Sequence, residues 1–135
     1  MLKNLNPYLN ADLLHVLRSM GHGDELILVD CNFPSDSVAA HTVSGKLIRM
    51  EGLNVPEVAE AILSVYPLDS FVPEPVLRME VVGNPDEWVE CHHEMKKVVD
   101  KTSDREWKFG SIERHAFYER ARNCLLYTSD AADDL

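Results

Sequence analysis

Met20-Gly21-His22-Gly23-Asp24-Glu25-Leu26-Ile27-Leu28-Val29-Asp30 is the stretch on which the reading of this chain turns. A helical pattern ends, a histidine flanked by glycines follows, and an apolar strand runs to an aspartate. Gly21 and Gly23 are expected at positive φ, where the missing Cβ also leaves room around the imidazole. Leu26 to Val29 are four consecutive apolar residues, the pattern of a strand buried on both faces. Asp30 then falls at the carboxyl end of that strand, where open α/β sheets place their ligands. If the strand is straight, its five residues at about 3.3 Å each hold His22 and Asp30 about 15 Å apart. Both would reach one site only through a curved loop or across a subunit boundary.

Outward from this stretch, helices and strands alternate. On the amino-terminal side, Asn10 or Asp12 caps a helix to about Met20, with Leu13, Leu14, Leu17 and Met20 on its apolar face. On the other side, Cys31 to His41 reads as a loop containing Pro34. Lys46 to Met50 is a short strand. Asn54 caps a second helix with Pro56 in its first turn; Val55, Val58, Ala59, Ile62, Val65 and Tyr66 face the core, and Pro67 ends it. Val76 to Val82 alternates as a strand. Asn84-Pro85-Asp86-Glu87 reads as a helix start, and Trp88, Cys91, Met95, Val98 and Val99 form the buried stripe that follows. Gly110 breaks the pattern. Ser111 to Glu113 is a short strand before a last helix, Arg114 to about Asn123. The alternation predicts a single α/β domain.

The composition narrows the ligand class. The 135 residues carry a net charge of −10, so no basic face is available for nucleic acid or an anionic membrane. A neutral small molecule is the easier partner. No apolar run reaches the length of a transmembrane helix, and Met1-Leu2-Lys3-Asn4 lacks the apolar core of a signal peptide. Cys31, Cys91 and Cys124 are odd in number and widely spaced, as expected of free thiols in the cytoplasm.

The last segment departs from the rest. Cys124-Leu125-Leu126-Tyr127-Thr128-Ser129-Asp130-Ala131-Ala132-Asp133-Asp134-Leu135 continues no earlier pattern. It resembles the translation of a transposase-type sequencing adaptor. Residues 1–123 are therefore expected to be the native domain and 124–135 a read-through tail. Without the tail's three aspartates the charge would be −7.

Three motifs in register carry a family resemblance. They are Met20 to Glu25 with Asp30 and Phe33-Pro34, then Pro67-Leu68-Asp69-Ser70-Phe71, then Ala116-Phe117-Tyr118-Glu119-Arg120-Ala121. Over about residues 1–122 the chain resembles the ribose pyranase / fucose mutarotase family, and the third motif is similar to the fucose branch. The resemblance implies an RbsD-like sheet with flanking helices, no cofactor, L-fucose as substrate and a ring-like homo-oligomer whose site is completed by a neighbouring subunit. It also implies that the family's C-terminal Tyr-Gly-Asn segment has no counterpart here, leaving the sheet without its last strand.

Mutarotation of a free sugar passes through the open-chain aldehyde. The ring oxygen gains a proton and the anomeric hydroxyl loses one, so one acid and one base are required and a metal is not. Histidine suits this because it titrates near neutral pH. The resemblance implies His22 as proton donor, Tyr118 as relay, Asp30 and Asp69 as acceptors from sugar hydroxyls, Arg114 as donor and Met79 against the sugar's apolar face. All but Asp30 have a plainer alternative: a helix-terminal histidine, a turn-capping aspartate at 69, a surface ion pair at 114, and core packing at 118 and 79. Tyr118 lies four residues after Arg114, so the two share a helix face. Cys91-His92-His93-Glu94 could suggest a metal, but adjacent histidines on a helix diverge and no second ligand pair has matching spacing; a solvated pair is expected. The rival functions are a non-catalytic sugar-binding module and a ribose pyranase.

Overall fold

The computed structural model describes residues 2–129. Ten elements alternate along the chain: α1 (Ala11–Ser19), β1 (Leu26–Val29), α2 (Ser35–Ala39), β2 (Leu47–Met50), α3 (Val55–Leu63), β3 (Val76–Met79), α4 (Glu90–Thr102), β4 (Phe109–Ile112), α5 (Arg114–Ala121) and β5 (Leu125–Ser129). The strands form two parallel sheets, one in the order β1-β5-β2 and one pairing β3 with β4. The α/β expectation holds.

The three-stranded sheet is covered on both faces, and each face has its own core. On one side Leu13, Val16 and Leu17 of α1 and Val58, Ala61 and Ile62 of α3 pack with Ile48 and Met50, and Leu26 and Leu28 close against them. On the other side Ile27 and Val29 pack with Phe33, Val38, Ala39, Ala121 and Cys124. This two-sided cover explains why Leu26 to Val29 is apolar without alternation. The helix caps follow the sequence: Asn10 Oδ1 accepts from the Leu13 N–H at 2.8 Å, and Asn54 Oδ1 from the Glu57 N–H at 2.9 Å.

Several expectations are corrected. The segment read as a loop contains α2, whose Val38 and Ala39 are buried in the second core, so the small residues that read as loop are packing residues. α3 ends at Leu63, and Val65 is exposed. β3 stops at Met79, and Val81 makes an isolated antiparallel bridge to Asn84. Asn84 to Glu87 starts no helix. The Glu87 N–H bonds the Asn84 carbonyl at 3.0 Å, and the Asn84 side chain bonds Glu87 at 3.1 Å, which closes a turn; α4 begins only at Glu90. Gly110 lies inside β4, where the side chains of Glu74 and Leu77 occupy the space a Cβ would need. The sheet does not lack its last strand: Leu125–Ser129 fills its centre. The acidic end, residues 130–135, lies outside the described residues.

The link from α1 to β1 is a tight turn. The Asp24 N–H donates to the Gly21 carbonyl at 3.2 Å, and Gly23 has φ +85°. Positive φ at the third residue is the mark of a type II turn and accounts for Gly23. Gly21, expected to share that conformation, is absent from the positive-φ residues.

Where β1 begins, Glu25 takes a two-pronged ion pair from Arg120 of α5, with Arg120 Nε 2.7 Å from Oε2 and Nη2 on Oε1. The Arg120 guanidinium holds the Glu25 carboxyl below the usual carboxylate range, against the opposing effect of burial. A depressed folded value means the stabilisation is complete above the unfolded pKa and is lost as pH falls through the folded one. Glu25→Gln is therefore expected to lower the melting temperature at neutral pH. The gap to the parent should close in acid below the carboxylate range, as thermal unfolding across pH will read.

A second expectation comes from the turn. A Cβ at Gly23 would meet nothing within 4 Å, so Gly23→Ala is disfavoured by its backbone angle alone. The expected loss is about 1–2 kcal/mol of unfolding free energy in a denaturant titration.

Candidate functional site

His22 is the second residue of the Gly21–Asp24 turn, and the turn presents it outward. Its side chain is 78% exposed. Nδ1 faces Asp69 Oδ2 at 3.5 Å, and the Phe71 ring stands edge-on to the imidazole at 5.0 Å. Asp69 reaches this place because α3 returns the chain to the amino end of β1. Its other oxygen, Oδ1, accepts from the Phe71 N–H at 2.9 Å. The two readings of Asp69 are thus both present: one oxygen caps a turn and the other faces the histidine.

Tyr66 completes this group. Burial raises its phenol pKa, and the carboxylates of Asp24 and Asp69 raise it further, so the hydroxyl remains a proton donor at neutral pH. Phe71 and Tyr66 were not singled out by the sequence reading. Phe71 closes the Pro67-to-Phe71 motif, and that position was the available signal. Tyr66 had been counted as a core residue, and its ring does pack against the first core.

Three of the remaining expected residues, Asp30, Tyr118 and Arg114, gather at the other end of β1. Asp30 follows the strand, and its Oδ1 accepts from the Asn32 N–H at 3.0 Å. Tyr118, one turn into α5, packs on Phe33 at 5.2 Å between ring centroids. Arg114 Nε donates to the Tyr118 hydroxyl at 3.2 Å, and the guanidinium lies 5.5 Å from the centre of the same ring. The shared face expected for these two residues is observed. Arg114 is exposed, with its guanidinium on the tyrosine.

Met79 ends β3 opposite Ile112 of β4 and is half-buried. Just beyond it, a cleft of about 180 Å³ is lined by Glu80, Val82, Gly83, Pro85, Arg114 and His115. Glu113 caps α5 there, its Oε2 accepting from the backbone N–H groups of His115 at 2.9 Å and Ala116 at 3.1 Å. The backbone N–H of His115 is the main cause holding the Glu113 carboxyl low. Glu80 and His115 could have been found as the sequence neighbours of Met79 and Arg114.

The structure therefore makes two groups. His22, Asp69, Phe71 and Tyr66 lie where β1 begins, and Asp30, Tyr118 and Arg114 lie beyond its other end. This is the separation that the strand length demanded. Each group has what ring opening of a sugar needs in part: an imidazole with a carboxylate beside it, and a guanidinium and phenol as hydroxyl donors.

Of the pair expected to be solvated, His93 is exposed and His92 is not. His92 is half-buried, and its Nδ1 accepts the Val89 N–H at 3.2 Å at the start of α4. Burial lowers its pKa, aided by Arg78 and His93. Both rings lie against Trp88, at 6.1 and 5.4 Å between centroids.

Comparison with known proteins gives a consistent family. The model of the RbsD / FucU transport protein family matches residues 3–132. An L-fucose mutarotase of Actinobacillus pleuropneumoniae is 34% identical over 122 residues, covering 90% of this chain and 81% of its own. The fucose mutarotase of Homo sapiens is 36% identical over 132 residues, covering 92% of this chain and 80% of its own. Among solved structures, a candidate sugar-binding protein is 44% identical with a TM-score of 0.91, covering 98% of this chain and 89% of that one. The fucose mutarotase of Streptococcus pneumoniae in complex with L-fucose is 33% identical with a TM-score of 0.81, covering 96% and 88%. The histidine turn, the doubly covered sheet and these matches lead to one conclusion: this chain belongs to the RbsD / FucU family.

Proposed function

We propose that this protein is a sugar mutarotase that interconverts the α and β anomers of L-fucose by acid–base ring opening. The observation that carries the reading is His22, a histidine held outward on a glycine turn with Asp69 at 3.5 Å. The identity to L-fucose mutarotases over most of the chain supports the sugar.

In the forward step, His22 gives a proton to the ring oxygen as the bond from that oxygen to the anomeric carbon breaks. The anomeric hydroxyl loses its proton to a base, and its oxygen becomes the aldehyde. Rotation about the adjacent carbon–carbon bond presents the other face, and the reverse proton movements close the ring. Asp69 orients the imidazole. Asp30 and Arg114 hold sugar hydroxyls, Tyr118 relays a proton, and Met79 backs the apolar face of the ring.

The proposal places this machinery across a homo-oligomer boundary, with His22 and Asp69 from one subunit and Arg114 and Tyr118 from its neighbour. Support comes from the two groups at opposite ends of β1 and from the outward position of His22. Phe71, 81% exposed beside it, offers an apolar surface to a second copy. The proposed compartment is the cytoplasm, supported by three cysteines that are odd in number and widely spaced in sequence. We further hold that residues 124–135 replace a native C-terminal strand at the place of β5.

A non-catalytic sugar-binding module is the second reading, favoured by the 44% identity to the candidate sugar-binding protein.

Saturation transfer between the anomeric protons of L-fucose separates the two. The enzyme reading expects faster exchange than in buffer, and a smaller effect on D-ribose. His22→Ala should lower the enzyme-dependent rate about a hundredfold or more while sugar binding, read by calorimetry, persists. Binding without exchange in the parent chain would leave the module. Restoring a family-like last strand in place of residues 124–135 is expected to increase the rate, and no gain would remove the replacement claim.

The shared site has its own test. His22→Ala and Tyr118→Phe should each be inactive alone. Mixed subunits of the two should regain part of the activity, because some boundaries then pair an intact histidine with an intact tyrosine. No recovery in verified mixed oligomers would place both groups in one subunit.

A further inference from the structure

We propose that Asp24 is a positioning residue for His22, its carboxylate clamping the turn that carries the imidazole. The inference rests on the mutarotase reading and adds to it a residue that touches neither the sugar nor the reacting atoms.

Two hydrogen bonds join the same two residues across this turn. The Asp24 N–H reaches the Gly21 carbonyl at 3.2 Å, the ordinary closure of a turn. In return the Gly21 N–H donates to Asp24 Oδ2 at 2.8 Å. The second bond is shorter and its acceptor is charged, so it is the stronger of the two. His22 is the residue between them that faces outward.

The clamp matters because little else fixes His22. Its side chain is 78% exposed, and among the described residues the contacts on it are the edge of Phe71 and the carboxylate of Asp69. Phe71 is itself 81% exposed, so neither packs the imidazole in place from both sides. Its position is inherited from the backbone. That backbone contains two glycines, which have the largest conformational freedom to lose, and one of them holds φ +85°. Proton transfer to a ring oxygen needs hydrogen-bond distance, and a displacement of about 1 Å in such a group costs up to about a hundredfold in rate. A turn built from glycines to leave space around the histidine thus needs a separate element to hold it still. Asp24 is placed to do so from the outer end of the turn.

The neighbouring charges agree with this role. Asp24 and Asp69 both act on the Tyr66 phenol, and of these two carboxylates one holds the backbone of the turn and the other faces its imidazole.

Anomer exchange of L-fucose, backbone amide exchange and two substitutions test the proposal. Asp24→Ala is expected to reduce kcat about tenfold to a hundredfold with KM within about twofold. The Gly21 amide, protected in the parent, should exchange with solvent at least tenfold faster. Asp24→Asn keeps an oxygen for the Gly21 N–H and should recover most of both losses. In the His22→Ala background, Asp24→Ala should cause no further loss of rate, because its effect passes through the histidine.

The proposal is overturned by a folded Asp24→Ala with parental kcat and a parental Gly21 amide. It is overturned equally by an Asp24→Asn variant as slow as the alanine one, or by a further loss in the His22→Ala background. Should Asp24→Ala not fold, the asparagine variant and the parental Gly21 protection still decide. A parent chain without any anomer exchange would fail the function and leave the clamp to be judged on the amide alone.

Discussion

The backbone pairing of β5 is the constraint on which the rest of the fold depends. β1 and β2 are not hydrogen-bonded to each other; each pairs in parallel with β5, which lies between them. A parallel strand requires a crossover, and here the crossovers are the helices that build the two cores. α1 and α3 cover one face, and α2 and α5 the other. The ion pair of Arg120 with Glu25 ties the end of α5 to the start of β1, so the element that delivers the central strand is anchored where that strand enters the sheet. The turn with His22 immediately precedes this anchored point. The placement of the histidine and the closure of the sheet are therefore one mechanical problem.

Much of this was legible in the residues. Local signals with a single physical cause are legible: the asparagine cap of α3, the choice between Asn10 and Asp12 for α1 that falls to Asn10, the apolar run of β1, and the Arg114–Tyr118 spacing on α5. The glycines beside His22 are read as leaving room around the imidazole, and its side chain is exposed. What failed were readings in which one local signal stood for several structures. Asn84-Pro85-Asp86-Glu87 has the composition of a helix start, but the same residues close a turn when the asparagine side chain bonds the glutamate. α2 is missed because five residues are too few to show a helical period, and its two apolar residues belong to a core whose other members include Ala121 and Cys124, far in sequence. Gly110 read as a break because a strand glycine has no pattern of its own. Its reason lies in Glu74 and Leu77, which close over it.

The candidate site was legible as residues and only partly as geometry. The separation of His22 from Asp30 followed from strand rise alone. That Asp69 belongs with His22, and Arg114 and Tyr118 with the other group, required the return of α3 and the crossing of α5, which no spacing encodes. The last strand is the clearest limit. A segment of unusual composition still fills the middle of the sheet, because a central parallel position asks first for paired backbone groups and only then for particular side chains.

Cys124, at the corner between α5 and β5, has a consequence for how this corner can be observed. The thiol is buried, and its Sγ donates to Glu25 Oε2 at 3.2 Å. Burial, with the neighbouring glutamate, pushes its pKa up to about 12. At neutral pH it is a protonated, shielded sulfur and a poor nucleophile, whereas Cys31 is exposed to solvent beyond β1. The two cysteines therefore form a pair of clocks within one molecule. Alkylation of Cys31 records the reagent's access to the surface. Alkylation of Cys124 records each opening of the corner where the central strand leaves α5.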